Sequence, residues 1–154
     1  ATNVLGPEVL AACGIAALGI DHERFLLAPE EGVPTEPMAR IAFEKAGIAK
    51  RGVPLVTLAP GYDYPPEAAE AIRIVAMQAG SPLFQRGEHW DAQPVDPLAS
   101  TPASVSYVDE QGHFIVHGSA LHGRHQAANL GLAIAMLRHQ QRRWPVRGIV
   151  PRRL

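Results

Sequence analysis

Three short segments of the 154-residue chain carry the side chains best placed for chemistry. In the first, Gly19-Ile20-Asp21-His22, a carboxylate and an imidazole follow directly on a long apolar run. If that run is a buried strand, Asp21 and His22 leave its carboxyl end, where open α/β sheets collect their ligands. The plainer reading is that Asp21 caps the following loop and His22 is a polar residue at a strand end.

The second segment is Ile41-Ala42-Phe43-Glu44-Lys45-Ala46-Gly47-Ile48-Ala49-Lys50. At helical spacing Met38, Ile41 and Ala42 share one face, and Lys45 continues it. A lysine on an apolar stripe either extends outward along its stem or stays inside with a purpose. Inside, desolvation favours the neutral amine, which takes up carbon dioxide to form a carbamate, an anionic oxygen ligand. Outside, a cation in the last turn of a helix simply complements the dipole.

The third is Leu121-His122-Gly123-Arg124-His125-Gln126-Ala127-Ala128-Asn129. His125 and Asn129 are four apart and lie on one face of a first helical turn. Free N–H groups at such a turn suit a nucleotide, although ordinary capping and surface polarity produce the same residue types.

The elements that must position these groups read as α/β. Residues 8 to 20 form an apolar, small-residue run suited to a strand covered on both faces. A loop over residues 28 to 34 leads to Thr35, an expected N-cap, and to a helix that Gly47 stops. Val53 to Leu58 reads as a strand. Pro65 and Pro66 open a second helix with Ala68, Ala71, Ile72, Val75 and Ala79 on one face and Gly80 at its end. Pro82 to Gln85 is a further strand. Strands alternating with helices at this spacing predict βαβ units and a mostly parallel sheet with flanking helices.

Residues 91 to 104, rich in proline and serine, read as a surface loop. Asp109-Glu110-Gln111-Gly112 between residues 104–108 and 113–116 predicts a small antiparallel hairpin. The last helix runs from about residue 124 to 140, and its middle, Leu130 to Leu137, is apolar almost all round and is expected to be buried.

Composition narrows the function classes. A formal net charge of −1, with 47% hydrophobic and 19% charged residues, describes an ordinary globular chain. No basic stripe interleaved with aromatics marks a nucleic-acid surface. The arginines at 142, 143, 147, 152 and 153 read as a solvated helix end and tail. The lone cysteine, Cys13, excludes an internal disulfide and reads as a small buried thiol. No run approaches the length of a membrane span, and no basic n-region precedes the first apolar run. A cytoplasmic protein with no membrane partner is the expectation.

Taken in order, the segments resemble a known family. Asp21-His22 after an apolar strand, then Ile41-Ala42-x-Glu44-Lys45-Ala46-Gly47-Ile48-x-Lys50-x-Gly52-x-Pro54, then Gly123-Arg124-His125-Gln126-x-x-Asn129 resemble folylpolyglutamate and dihydrofolate synthases, relatives of the Mur cell-wall ligases. Ala1-Thr2-Asn3-Val4 is similar to the end of the family's loop before that strand. The Glu-Lys-Ala-Gly-Ile stretch favours the folate branch.

The resemblance implies a ligase that uses ATP and Mg2+ to join L-glutamate to folate, or to dihydropteroate, through an acyl phosphate. It implies His22 and Lys45 at the metal, with Lys45 catalytic and carbamylated, and His125 and Asn129 at the nucleotide. Asp21, Thr2 and Asn3 would then lie in the substrate loop.

The family's Gly-Lys-Ser phosphate loop occurs nowhere in these 154 residues. The expectation is therefore a single partial domain over residues 1–154, the second half of a Mur-ligase-type central ATP-binding domain. It would lack the phosphate-loop part and the C-terminal domain and be inactive alone. A Mur-type or cyanophycin-type amino-acid ligase and a non-catalytic binding module are the alternatives. A solvent-facing, unmodified Lys45 would favour the module. A parallel sheet cut between strands would also expose an edge and promote self-association.

Overall fold

The computed structural model describes residues 5–19, 31–96, 103–119 and 124–143. The fold is mixed α/β, built from two three-stranded sheets and three helices. The parallel sheet has the order β1 (Cys13–Ile15), β2 (Leu55–Thr57), β3 (Leu83–Gln85). Helices α1 (Pro37–Ala46) and α2 (Pro66–Ala79) fill the two crossovers and pack on each other. The antiparallel sheet has the order β4 (Trp90–Pro94), β5 (Ala103–Asp109), β6 (Gly112–Ser119). Helix α3 (Arg124–Arg143) touches strands of both sheets.

The apolar patterning explains the layers. All three residues of β2 are buried, as befits a central parallel strand covered on both faces. Gly14, Val56 and Phe84 are in register and face α3, where Phe84 meets the His139 ring edge-on at 4.3 Å. Alternate residues point the other way, and there the Cys13 thiol donates to the Ile48 carbonyl at 3.5 Å. Cys13 is thus the buried small residue its surroundings predict, and burial raises the thiol's pKa. One core joins both layers, running from Cys13 through Leu55 and Ile72 to Trp90, Tyr107 and Leu132.

Several boundaries differ from the sequence reading. Of residues 8 to 20, only Cys13 to Ile15 form a strand among those described. The cap of α1 is Glu36, not Thr35. Pro37 occupies the first helical position, and the Glu36 carboxylate accepts from the Ala39 N–H at 2.6 Å. Gly47 does end α1, but in right-handed geometry, whereas Gly80 ends α2 at φ +67°.

Trp90 to Pro94 is not loop. It alternates buried Trp90 and Ala92 with outward Asp91 and Gln93, and it pairs with β5. Pro94 sits at the end of an outer strand, where a missing N–H is tolerated. The middle of α3 is buried on one side only, leaving Leu137 58% exposed. Among the described residues no helix is long and apolar enough to cross a membrane.

Candidate functional site

At the carboxyl ends of the parallel strands the structure builds a tightly tied rim. The loop after β2, Ala59-Pro60-Gly61-Tyr62-Asp63-Tyr64, folds back on itself as the amides of Tyr62, Asp63 and Tyr64 return to the Ala59 carbonyl. Asp63 Oδ2 accepts from the Ala59 N–H at 2.8 Å, as a short acidic side chain does in such turns. This seats Tyr64, 2% exposed, under the rim. Its hydroxyl donates to the Ile15 carbonyl, lies 3.1 Å from the Ala16 carbonyl and accepts from the Leu58 N–H. Burial raises the phenol's pKa, so it remains a donor. Tyr64 therefore anchors the exit of β1, a few residues before Asp21-His22.

Arg86, the residue after β3, ties the same rim to the second sheet. It is buried between two carboxylates, with Nη1 at 3.0 Å from Asp63 and Nε at 2.8 Å from Asp91. Nη2 donates to the Ala92 carbonyl at 2.9 Å. Burial works against the charge, but the Asp91 and Asp63 partners outweigh it and hold the guanidinium above its ordinary range. Asp91 shows the converse: its own burial opposes ionisation, and Arg86 together with Gln93 and the Ala92 N–H holds it below the usual carboxylate range. Neither Tyr64 nor Arg86 was singled out from sequence. The available signal was a charged residue directly after a predicted strand, in line with an Asp in a turn rich in Gly and Pro.

Of the residues singled out from the sequence, the described ones lie on two helices, Lys45 on α1 and His125 and Asn129 on α3. Lys45 lies in the last turn of α1 and is exposed; Ala39, Ile41, Ala42 and Ala46 form the buried side. Of the two readings of a lysine on an apolar stripe, the structure shows the outward one. Thr2, Asn3, Asp21 and His22 lie outside the described residues.

His125 is exposed on the first turn of α3 and Asn129 is half-buried one turn on. The Asn129 amide donates to Gln126 Oε1 at 3.4 Å, while its Oδ1 is buried without a partner among the described residues. A buried carbonyl oxygen left open in this way suits an incoming N–H donor.

A cavity of about 390 Å³ opens at the other end of α3, lined by His89, Trp90, Asp109, Arg138, His139 and Arg142 among others. Arg138 Nε lies 3.1 Å from Asp109 Oδ2, and Arg142 pairs with Glu110, so its cations are already matched. Its Arg138 sits about 20 Å along the helix axis from His125 and about 14 Å from Asn129, so the cavity is separate from them.

Among the described residues no cluster of three or more His, Cys, Asp or Glu is placed to hold a metal; His22, the other expected ligand beside Lys45, lies outside them.

Comparison with known proteins gives the geometry its context. No protein-family model matches the chain. It is 31% identical over 137 residues to the mitochondrial folylpolyglutamate synthase of Bos taurus, a match that takes in 89% of this chain and 18% of that protein. A point mutant of the L. casei folylpolyglutamate synthase superposes with a TM-score of 0.70 at 26% identity, over 94% of this chain and 32% of that one. A folylpolyglutamate synthase in complex with AMPPCP and folate superposes with a TM-score of 0.68 at 25% identity, over 88% and 30%. The chain thus matches folylpolyglutamate synthases in sequence and in fold, and it spans between about a fifth and a third of their length.

Proposed function

We propose that this chain is a segment of an ATP-dependent ligase of the folylpolyglutamate synthase family, forming the second half of its central nucleotide-binding domain. The observation that carries the reading is the shared fold over about nine-tenths of the chain with a folylpolyglutamate synthase bound to AMPPCP and folate. The reaction joins the γ-carboxylate of folate to the amine of L-glutamate. The carboxylate attacks the γ-phosphorus of ATP, ADP leaves, and the amine displaces phosphate from the acyl phosphate to form an amide. Dihydropteroate is the acceptor in the neighbouring branch.

Within that scheme the chain's own residues bind and position. In this reading the N–H groups of the first turn of α3 donate to phosphate, and Asn129 Oδ1, without a partner among the described residues, accepts from an exocyclic amino group such as that of adenine. His125, exposed one turn before, borders the same surface. Tyr64 and Arg86 fix the strand exits, so the segment carrying Asp21 and His22 starts from a rigid rim. Thr2 and Asn3 belong to the substrate loop, and His22 with a carbamylated Lys45 would complete a magnesium site that residues outside this chain share. A single buried thiol suits the reducing cytoplasm.

The test is phosphate release from MgATP with tetrahydrofolate and glutamate, with the glutamylated product read by mass. This chain is compared with one extended at both ends by its native coding sequence. Turnover by the extended protein alone is expected, and failure of both would sink the folate assignment. The outward-facing Lys45, beside the absence of a Gly-Lys-Ser loop from these 154 residues, favours a non-catalytic binding module. The intact mass of the extended protein decides between them: a carbamate on Lys45 excludes the module, and an unmodified, inactive protein selects it.

A further inference from the structure

We infer that Arg86 is a positioning residue for nucleotide binding: itself buried, it sets where the Asn129 end of α3 stands relative to the exits of the parallel strands. The nucleotide part of this inference rests on the family reading above. The mechanical part rests on contacts within the chain.

Arg86 is held first by its backbone, whose N–H donates to the Thr57 carbonyl at 3.0 Å and so ties the residue to the end of β2 as well as to β3. Its guanidinium then uses three N–H directions. Nη1 reaches the two oxygens of Asp63 at 3.1 and 3.0 Å, Nε reaches Asp91 Oδ1 at 2.8 Å, and Nη2 reaches the Ala92 carbonyl at 2.9 Å. Each carboxylate is engaged a second time by backbone. Asp63 takes the Ala59 N–H and Asp91 takes the Ala92 N–H, both at 2.8 Å. Neither can swing away without opening its own turn. A planar fork of donors holds such partners by direction as well as by charge, so the loop after β2 and the start of β4 have one relative placement.

β4 passes that placement to α3. The buried side chains of Ala92 and Trp90 lie against Gly131 so closely that they leave no room for a Cβ there. A contact without slack transmits a shift of Ala92 into the helix. Ala127, Ala128 and Leu132 are buried along the same stretch of α3. Asn129 stands two residues before Gly131, with its Oδ1 buried and without a partner among the described residues. The path is therefore short: one hydrogen bond from Arg86 to Ala92, one packing contact from Ala92 to Gly131, and half a turn of helix to Asn129. The other arm of the guanidinium, through Asp63, leads to the loop that seats Tyr64 under the exit of β1.

The test uses the chain extended at both ends by its native coding sequence, with AMPPCP as the nucleotide. Arg86→Lys keeps a cation between the two carboxylates but loses the fork that also reaches Ala92. It should raise the Kd for AMPPCP by about 10-fold, with the KM for glutamate and the number of sites per chain unchanged. Asp91→Asn removes a charge but keeps an oxygen to accept from Nε and from the Ala92 N–H, so its Kd should stay within about 2-fold of the natural protein's. A nucleotide-free readout accompanies these. Amide exchange in Arg86→Lys should quicken by about 10-fold at residues 61–64 and 127–132 and stay unchanged in α2. An unchanged Kd in Arg86→Lys, with only the number of competent sites reduced, would make the role one of stability alone and overturn the inference. So would an equal rise in Asp91→Asn, which would assign the effect to charge, or exchange that quickens throughout the chain. If the natural extended protein fails to bind AMPPCP, the family reading falls, and the exchange pattern alone decides whether Arg86 positions α3.

Discussion

At the scale of single residues, Arg86 is the group whose loss the fold should feel most. Removing one partner from a buried, hydrogen-bonded ion cluster leaves the others uncompensated, so Arg86→Ala should cost about 3–5 kcal/mol in urea unfolding. Asp63 and Asp91 would keep their positions beside an empty site. A change of less than about 1 kcal/mol would show that the cluster is water-exchanged, like a surface pair.

His139 gives a second prediction at this scale. Burial holds its imidazole below the ordinary value of 6.5, against a small opposing pull from Asp109. The folded state therefore binds the proton less readily than the unfolded chain. Its contribution to stability is complete above about pH 6.5 and declines as the pH falls below that value. His139→Phe should flatten the fall in urea midpoint between about pH 7 and pH 5; an unchanged slope would assign it to other histidines.

Asp91 works lower on the scale. Its depressed folded pKa gives stability that is present above its ordinary 3.8 and lost as acid protonates it. Little of this was legible in the sequence. Arg86, Asp63 and Asp91 meet only through tertiary folding, and none of the three shares a periodic face with another. Cys13 was legible because its neighbours are all small or apolar.

At the scale of elements, two glycines report how closely α3 lies on the sheets. A Cβ at Gly131 would collide with the Ala92 Cβ and lie 2.6 Å from the buried Trp90 ring, neither of which can move away. A Cβ at Gly14 would lie 2.5 Å from Met136 Sδ, in a flexible side chain. Gly131→Ala should thus cost about 1–3 kcal/mol by thermal or urea unfolding, and Gly14→Ala clearly less. Equal costs would mean that Met136 is as fixed as Trp90.

The elements themselves were largely readable. The 3.6-residue period of Ala68, Ala71 and Ile72 marks α2, and Gly80 closes it in the left-handed conformation that glycine favours. The hairpin turn was readable from Asp109 to Gly112. β4 was not, because proline and serine nearby masked a five-residue alternation whose partner is non-local. Glu36 was missed as a cap because Pro37, rather than the Thr35 side chain, sets where α1 begins.

At the scale of the molecule, the parallel layer, the antiparallel layer and the helix over both form one body with one core. That body corresponds to a contiguous part of the folylpolyglutamate synthases, and the motif order in the sequence was enough to find the resemblance. Period and spacing alone yielded α/β and three sites of uncertain purpose. The distance between Lys45 and Asn129 was beyond them, because the two lie on separate helices, α1 and α3, whose placement depends on tertiary packing.

That packing also has a temporal side. Gly14 and Phe84 lie under Met136 and His139, so the parallel layer is without its cover on that face until α3 has been synthesised. On a ribosome adding about 5–20 residues per second, the stretch from Gln85 to Arg143 takes about 3 to 12 s. For that interval the nascent chain displays an apolar face that holdase chaperones bind. Ribosome-bound chains halted near residue 95 should therefore retain trigger-type chaperones, and chains halted well past residue 143 should release them.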